Sequence, residues 1–469
     1  MSTFQPASPQ ASSAASEPRT SSRRQVLASA AVFSIVPAHV LGGQHGKAPS
    51  DKLRIAGVGV GAMGASYLRG CESEDIITLC DVDDAFAAKT FQKYPKAKTY
   101  RDYRVMLEKE KGIEGVIIGT PDHTHAVIAA AAMGLGKHVY CAKPLTRTIA
   151  ECRALTELAR KKRVATQMSV QSSATDGARQ TEEWIQAGAV GAVHTVHVWT
   201  DRPVWPQGLA RPAKGMEIPK NLDWDLWLGP AAERPYHVAY HPFVWRGWYD
   251  FGTGALGDMA CHGFHVPFRA LKLSQPTRVS ASATRVVRQQ LQNNNGSLSL
   301  RNAVQDLPET YPHSSVVTWD FPQRGDLPAL QLHWYDGGLK PTLPPNVPSL
   351  VLPTSGALYV GDQGVLLSGL TGGDNKLFPE ARAKSFAPPA ATLPRTEGHY
   401  MEWINAAKGG PAATCEFGFG SQLTECALLG AIAQRTGKTL DWDPVRMRFP
   451  NDPEASTLLN PPYRKGWKL

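Results

Sequence analysis

The chain has 469 residues, of which 42% are hydrophobic and 19% charged, with a formal net charge of +9. That length exceeds one ordinary core and predicts two domains. The charge forms no basic stripe: residues 1–47 hold Arg19, Arg23, Arg24 and Lys47 against Glu17, and the rest is scattered, which argues against a nucleic-acid partner.

Residues 1–47 read as a signal and linker. A Ser-, Ala- and Pro-rich stretch precedes "SRRQVLASAAVFSIVPAHVLGG", two arginines followed by a short apolar run and small residues. This is the layout of an export signal, and Arg23-Arg24 makes it resemble a twin-arginine signal, which predicts a periplasmic protein. Val26 stands where such signals prefer Phe, and no clean cleavage motif follows. The alternative is an unstructured segment with a chance arginine pair. Pro37, His39 and the shortness of the run argue against stable membrane insertion. Seven cysteines without a CxxC pair argue against a disulfide scaffold, and Cys80, Cys141 and Cys261 sit in settings that suggest buried thiols.

Residues 51–170 alternate strand-like and helix-like runs: "LRIAGV", "ASYLRGC", "IITLCD", "DDAFAAKTFQKY", "GVIIGT", "HTHAVIAAAAMG", "HVYCAK", "RTIAECRALTELARKK" and "VATQMS". That alternation predicts a doubly wound parallel α/β sheet. Gly59-x-Gly61-x-x-Gly64 follows the first strand and opens the first helix, the dinucleotide-binding (Rossmann) position. Ala62 and Met63 lie within this loop, whose N–H groups face phosphate. The second strand ends in Asp81, whose carboxylate suits ribose hydroxyls and repels a 2′-phosphate, so NAD is expected rather than NADP. Thr120-Pro121 forms a stiff turn over the cofactor. Of His123 and His125, His125 is the candidate for the nicotinamide end, a helix-cap role being the alternative. Lys143 is held at a strand end by Pro144.

From residue 171 to 440 the runs change character. "AVHTVHVWT", "RVSASATRV" and "SSVVTWDF" alternate with period two and read as antiparallel strands with one covered face. Six of the twelve tryptophans fall between residues 199 and 249, where Arg202, Trp205 and Arg246 are candidate sugar contacts among rings otherwise expected in the core. Gln171 is a further candidate pocket residue. In "FGTGALGDMACHGFH" Asp258 and His262 are four apart on one helix face. A solvated polar face is one alternative; a metal pair is another, without an obvious third ligand. Residues 441–469 read as an irregular tail packed on the surface.

The glycines of the loop, Asp81, "TPDHTH", Lys143-Pro144 and "GALGDMACH" together resemble the Gfo/Idh/MocA family of oxidoreductases, in particular its secreted twin-arginine members, which include NAD-dependent glycosidases. The resemblance implies a Rossmann domain followed by an α+β domain built on a large, mostly antiparallel open-faced sheet. It implies action on sugars or polyols, a catalytic group of Lys143, Asp258 and His262, and subunits that pair. The family usually has Glu where this chain has Ala142, which leaves open what orients Lys143.

Taking a hydride from a secondary alcohol requires removing the hydroxyl proton as well. His262 suits that role near neutral pH, with Lys143 holding the developing alkoxide and Asp258 anchoring a hydroxyl or the lysine. Three readings follow: an exported NAD(H)-dependent oxidoreductase of a sugar, glycoside or polyol; a redox-neutral glycosidase with tightly bound NAD; and a non-catalytic sugar-binding protein.

Overall fold

In the nucleotide domain, apolar runs four or five residues long become strands buried on both faces, and amphipathic runs between them become the covering helices. The computed structural model describes residues 51–469 except 285, 295, 296, 306 and 346. The segment read as an export signal lies outside the described residues.

The chain runs β1 (Arg54–Val58), α1 (Ala62–Gly70), β2 (Asp75–Cys80), α2 (Asp84–Lys93), β3 (Lys98–Tyr100), α3 (Tyr103–Lys109), β4 (Gly115–Ile118), α4 (Asp122–Gly134), β5 (His138–Cys141), α5 (Ile149–Lys162) and β6 (Thr166–Met168). All neighbouring pairs are parallel, in the order β3-β2-β1-β4-β5-β6. The order reverses direction between β1 and β4, the switch point outside whose strand ends such sheets bind ligands. β4 is buried at every position, as a central parallel strand with helices on both faces must be. Neither β3 nor α3 is legible in the sequence: β3 is a three-residue edge strand with Lys98 and Thr99 exposed, so it lacks an apolar signature.

The second half contributes α6 (Asp176–Gln186), β7 (Val193–Trp199), α7 (Trp224–Leu228), α8 (Gly254–Ala270), β8 (Arg278–Ala283), the hairpin β9 (Val286–Asn294) and β10 (Ser297–Gln305), β11 (Ser315–Phe321), β12 (Leu330–Tyr335), β13 (Gly356–Gly361), β14 (Gly364–Ser368), β15 (Lys376–Phe378), α9 (His399–Ala407), α10 (Phe417–Thr436) and β16 (Leu440–Asp441). Eight strands form one sheet, β15-β14-β13-β7-β12-β11-β8-β16, antiparallel throughout except for the parallel pair β7–β12. The strict alternation of burial along β11 shows one face covered. That face packs on α8 and α10, with Phe264 edge-on to Trp319 at 5.4 Å and to Trp334 at 5.8 Å.

Between β7 and α8 a long irregular strap folds around its own aromatic core of Trp224, Trp227, Tyr236, Tyr240, Trp245, Trp248 and Phe251. It is latched to the nucleotide domain through Asp83. The Asp83 carboxylate caps α2, accepts from Asn221 Nδ2 at 2.6 Å, and lies 2.8 Å from His241 Nε2.

Residues 441–469 differ from the expected surface wrap. Trp442, Phe449, Ala455 and Leu459 are buried in the main core. Their apolar residues follow no helical or strand period, so the pattern hid their burial. All seven cysteines are buried free thiols, and among the described residues no helix is long and apolar enough to cross a membrane.

Candidate active site

A cavity of about 780 Å³ runs along the carboxyl ends of the parallel strands, from Asp81 and Tyr103 at one end to Lys143, Asp258 and His262 at the other. The glycine-rich turn lies between. Gly59 has φ +72°, and a Cβ there would stand 2.6 Å from the Thr120 nitrogen. A Cβ on Gly64 would stand 1.8 Å from the Gly59 carbonyl oxygen, so only glycine lets α1 approach β1 and β4 this closely. Gly61 opens α1 without a side-chain cap, and Gly61, Ala62 and Met63 line the cavity. Uncapped N–H groups at a helix start, with the Phe86 ring packed against Gly61, form a cradle for a diphosphate.

Asp81 also lines the cavity. Its Oδ2 accepts from the N–H groups of Val60 (2.8 Å) and Gly61 (3.3 Å), and Oδ1 from that of Asp83 (3.0 Å). Burial pushes its carboxyl up, and the three backbone donors oppose that. Its oxygens keep acceptor capacity for ribose hydroxyls. The nearby Arg101 guanidinium is committed to Asp84 rather than turned towards the ribose position. Glycine cradle, ribose acid and cavity volume all fit NAD.

Two elements from opposite halves of the chain meet at the other end. Lys143, just past β5, donates from Nζ to both the carbonyl oxygen and Oδ1 of Asp258, each at 2.6 Å. Both side chains are more than four-fifths buried. Asp258 is thus the carboxylate bonded to the lysine, while Ala142, where the resemblance leads one to expect Glu, packs in the apolar wall. Arg246 Nε lies 3.9 Å from the same Oδ1. Burial works against the Asp258 charge, yet Lys143 and Arg246 hold its carboxyl below the usual range. A buried ion pair adds little to stability, so its place in a cavity wall points to chemistry. His262, one turn on along α8, lines the same wall; burial, helped by the Lys143 charge, pushes its imidazole down to about 3. It stands there as a neutral ring.

Other sequence candidates separate. Thr120, Pro121, Arg202, Trp205 and Arg246 line the cavity. The Arg246 guanidinium sits over Trp245 at 4.2 Å and Phe243 at 4.6 Å, held by its bond from Nη1 to the Phe243 carbonyl. His125, expected at the nicotinamide end, is instead wholly buried behind the wall. Its ring nitrogens lie 2.9 Å from the carbonyl oxygens of Pro144 and Thr120, tying the β4 turn to the lysine turn. Gln171 likewise stands outside the lining, its amide 3.5 Å from the Tyr140 hydroxyl.

Sequence reasoning missed Tyr67, Asp122 and Trp467, all in the lining. Tyr67 projects from α1, and its hydroxyl is 3.1 Å from Ser169 Oγ, which accepts from the Lys143 N–H at 3.0 Å. Burial pushes the Asp122 carboxyl up, against a 2.7 Å bond from the Thr253 hydroxyl. Only Asp122 carried a signal, being the acid in "TPDHTH". No cluster of three or more His, Cys, Asp or Glu suited to a metal occurs among the described residues.

A family model described as an oxidoreductase NAD-binding Rossmann fold matches residues 53–170. Its companion, a C-terminal alpha/beta domain, matches residues 192–286 and 369–469, so together they span more than half of the chain. The chain belongs to the Gfo/Idh/MocA oxidoreductase family. Its first domain is thus an NAD-binding Rossmann domain. Among curated relatives of this family member, inositol 2-dehydrogenase of Salmonella typhimurium is 32% identical over 152 residues, 31% of this chain and 45% of that protein. Levoglucosan dehydrogenase of Pseudarthrobacter phenanthrenivorans is 29% identical over 185 residues, 39% of each. The matched stretch is thus less than half the length of these relatives. Among solved structures, the WlbA dehydrogenase of Bordetella pertussis, in complex with NADH and UDP-GlcNAcA, superposes with a TM-score of 0.55 at 15% identity, over 84% of this chain and 99% of that one. A levoglucosan dehydrogenase in complex with NADH and levoglucosan gives 0.51 at 17% identity, over 83% and 99%. These likenesses establish the fold alone.

Proposed function

We propose that this protein is an exported enzyme that oxidises or reduces a secondary hydroxyl of a sugar, glycoside or polyol using NAD(H). The observation that carries the reading is the meeting of Lys143 and Asp258 at 2.6 Å, beside His262, at the end of the cavity remote from Asp81. The export part rests on the Arg23-Arg24 segment alone.

When bound, NAD supplies the hydride acceptor. The chain's own groups handle the proton. Lys143, positioned by its bond to Asp258, faces the carbinol oxygen and stabilises negative charge as it develops there. His262, neutral at working pH, is placed to accept the hydroxyl proton through a ring nitrogen as the C–H bond breaks. Tyr67 and Ser169 fix the backbone of Lys143, so the ammonium is aimed before substrate arrives. Arg246, Arg202 and the Trp205 ring line the same end and suit hydroxyl contacts and sugar stacking.

The test is to incubate purified protein, without added cofactor, with free sugars and polyols and separately with aryl glycosides. Reduction of bound cofactor by a free sugar or polyol supports the oxidoreductase reading. Aglycone release without net reduction would replace it with the redox-neutral glycosidase, which employs the same residues, and inertness of the NAD-loaded protein would reject both.

A further inference from the structure

The segment Tyr463–Leu469 has no regular secondary structure, yet side-chain and backbone bonds hold it in place. The Tyr463 hydroxyl donates to Glu151 Oε1 at 2.6 Å. Arg464 is bound through four different atoms: its N–H to the Pro230 carbonyl at 3.0 Å, Nε to the Gly229 carbonyl at 3.1 Å, Nη1 to Asp225 Oδ1 at 2.5 Å and Nη2 to the Asp225 carbonyl at 3.1 Å. Gly466, at φ +89°, then reverses the chain, and the Trp467 N–H donates back to the Arg464 carbonyl at 3.1 Å. A side chain in place of Gly466 would disfavour this left-handed turn. The result is an indole delivered to the cavity wall.

Trp467 packs against the edge of the main core yet remains partly exposed, and its open side lies in the cavity lining. What it adjoins is informative. The Arg104 guanidinium lies 4.8 Å from its ring centroid, and Arg104 belongs to α3, whose first residue Tyr103 also lines the cavity. α3 follows β3, the strand next to the Asp81 strand and farthest in the sheet order from β5 and Lys143. The indole therefore belongs to the end of the cavity away from the reactive groups. With the diphosphate on the glycine cradle and a ribose at Asp81, the group that reaches Trp467 is a purine base.

We propose that Trp467 forms an adenine subsite: its indole covers the purine of the dinucleotide, and the anchored segment 463–469 retains the adenosine half of the cofactor. This rests on the NAD-binding reading of the nucleotide domain. Stacking on an aromatic ring suits a purine, which has two broad apolar faces. Arg464 is the anchor and Gly466 the hinge, while Trp467 alone meets the ligand.

The test uses the full chain with Trp467→Ala and Trp467→Phe, titrated with NADH and, separately, with reduced nicotinamide mononucleotide, which lacks the adenosine half. Unchanged thermal unfolding of the ligand-free variants confirms that the fold is intact. Trp467→Ala is expected to weaken NADH binding by roughly tenfold or more, to leave mononucleotide binding unchanged, and to lower the NAD that co-purifies. Trp467→Phe should recover most of the loss. NADH binding by Trp467→Ala equal to that of the parent would overturn the proposal, as would equal losses for NADH and the mononucleotide. A parent protein that binds neither ligand would instead overturn the NAD-binding reading on which the proposal rests.

Discussion

Lys143 and Asp258 act as one unit, because each side chain's position is set by the other inside a mostly buried contact. Asp258→Asn removes the anion that positions the ammonium, and Lys143→Met removes the cation that faces the reacting oxygen. Each change is expected to lower kcat/KM by about 10²–10³-fold while leaving NADH affinity nearly unchanged, read by steady-state kinetics beside a fluorescence titration. Loss of cofactor binding in step with activity would argue that the pair merely supports the cavity. His262 gives a pH prediction. Its imidazole is pushed from the ordinary 6.5 down to about 3, so the neutral, proton-accepting form persists as pH falls well below 6.5. The acid limb of kcat/KM assigned to His262 should therefore lie below about pH 5 and disappear in His262→Gln. A limb centred at the ordinary imidazole value would contradict that placement. His125 teaches the opposite lesson at this scale. A histidine after a strand end reads as facing a ligand, but its two carbonyl partners turn it into a strut, and spacing alone carries no sign of that.

At the scale of elements, the strand–turn–helix unit of β1 and α1 is the most constrained piece of the fold. Gly64→Ala would place a methyl 1.8 Å from the Gly59 carbonyl oxygen, with backbone on both sides and nothing flexible to yield. The expected cost is about 3 kcal/mol or more, measured by urea unfolding, with NADH binding lost. A variant that melts like the parent would show that α1 can shift freely. This unit and Asp81 were legible in the sequence because the turn admits few residue types at fixed spacing. The helix α8, which carries Asp258 and His262 into the cavity wall, was legible for a related reason, since its Asp and His recur at one helical turn. The strap was only half legible. Its tryptophans announced an aromatic cluster, but the latch of His241 and Asn221 onto Asp83 joins residues more than a hundred apart in sequence, and no local pattern encodes it. Trp467 was missed for the same reason, lying in a segment without period whose order comes from Arg464.

Over the whole molecule, burial of neutral imidazoles couples stability to pH. His123 and His265 are fully buried and pushed down to about 3, and His399 to about 4. In the unfolded chain each takes up a proton below the ordinary value of 6.5, whereas in the fold each stays neutral until far lower pH. The fold therefore has its full share of this stability above that value and loses it as pH falls towards the depressed values. Each histidine costs about 2 kcal/mol by about pH 5, so the urea midpoint should drop steeply between about pH 7 and pH 5. A flat profile would mean that these rings reach water or an acid partner. The architecture as a whole was readable from sequence, in the switch from strand–helix alternation to period-two strands near residue 171. What could not be read was how the halves meet, because the long cavity is built from side chains brought together by that meeting.

In the proposed reaction Lys143 and His262, from separate halves of the chain, act on one hydroxyl at the end of the NAD cavity. The most direct test mixes NAD-loaded protein with a reactive polyol and follows reduced nicotinamide absorbance in a single turnover, for the parent and for Lys143→Met at matched NAD occupancy. The parent should show a full burst, and the variant the same occupancy with the burst slowed at least about a hundredfold. A variant that turns over as fast as the parent would contradict the account.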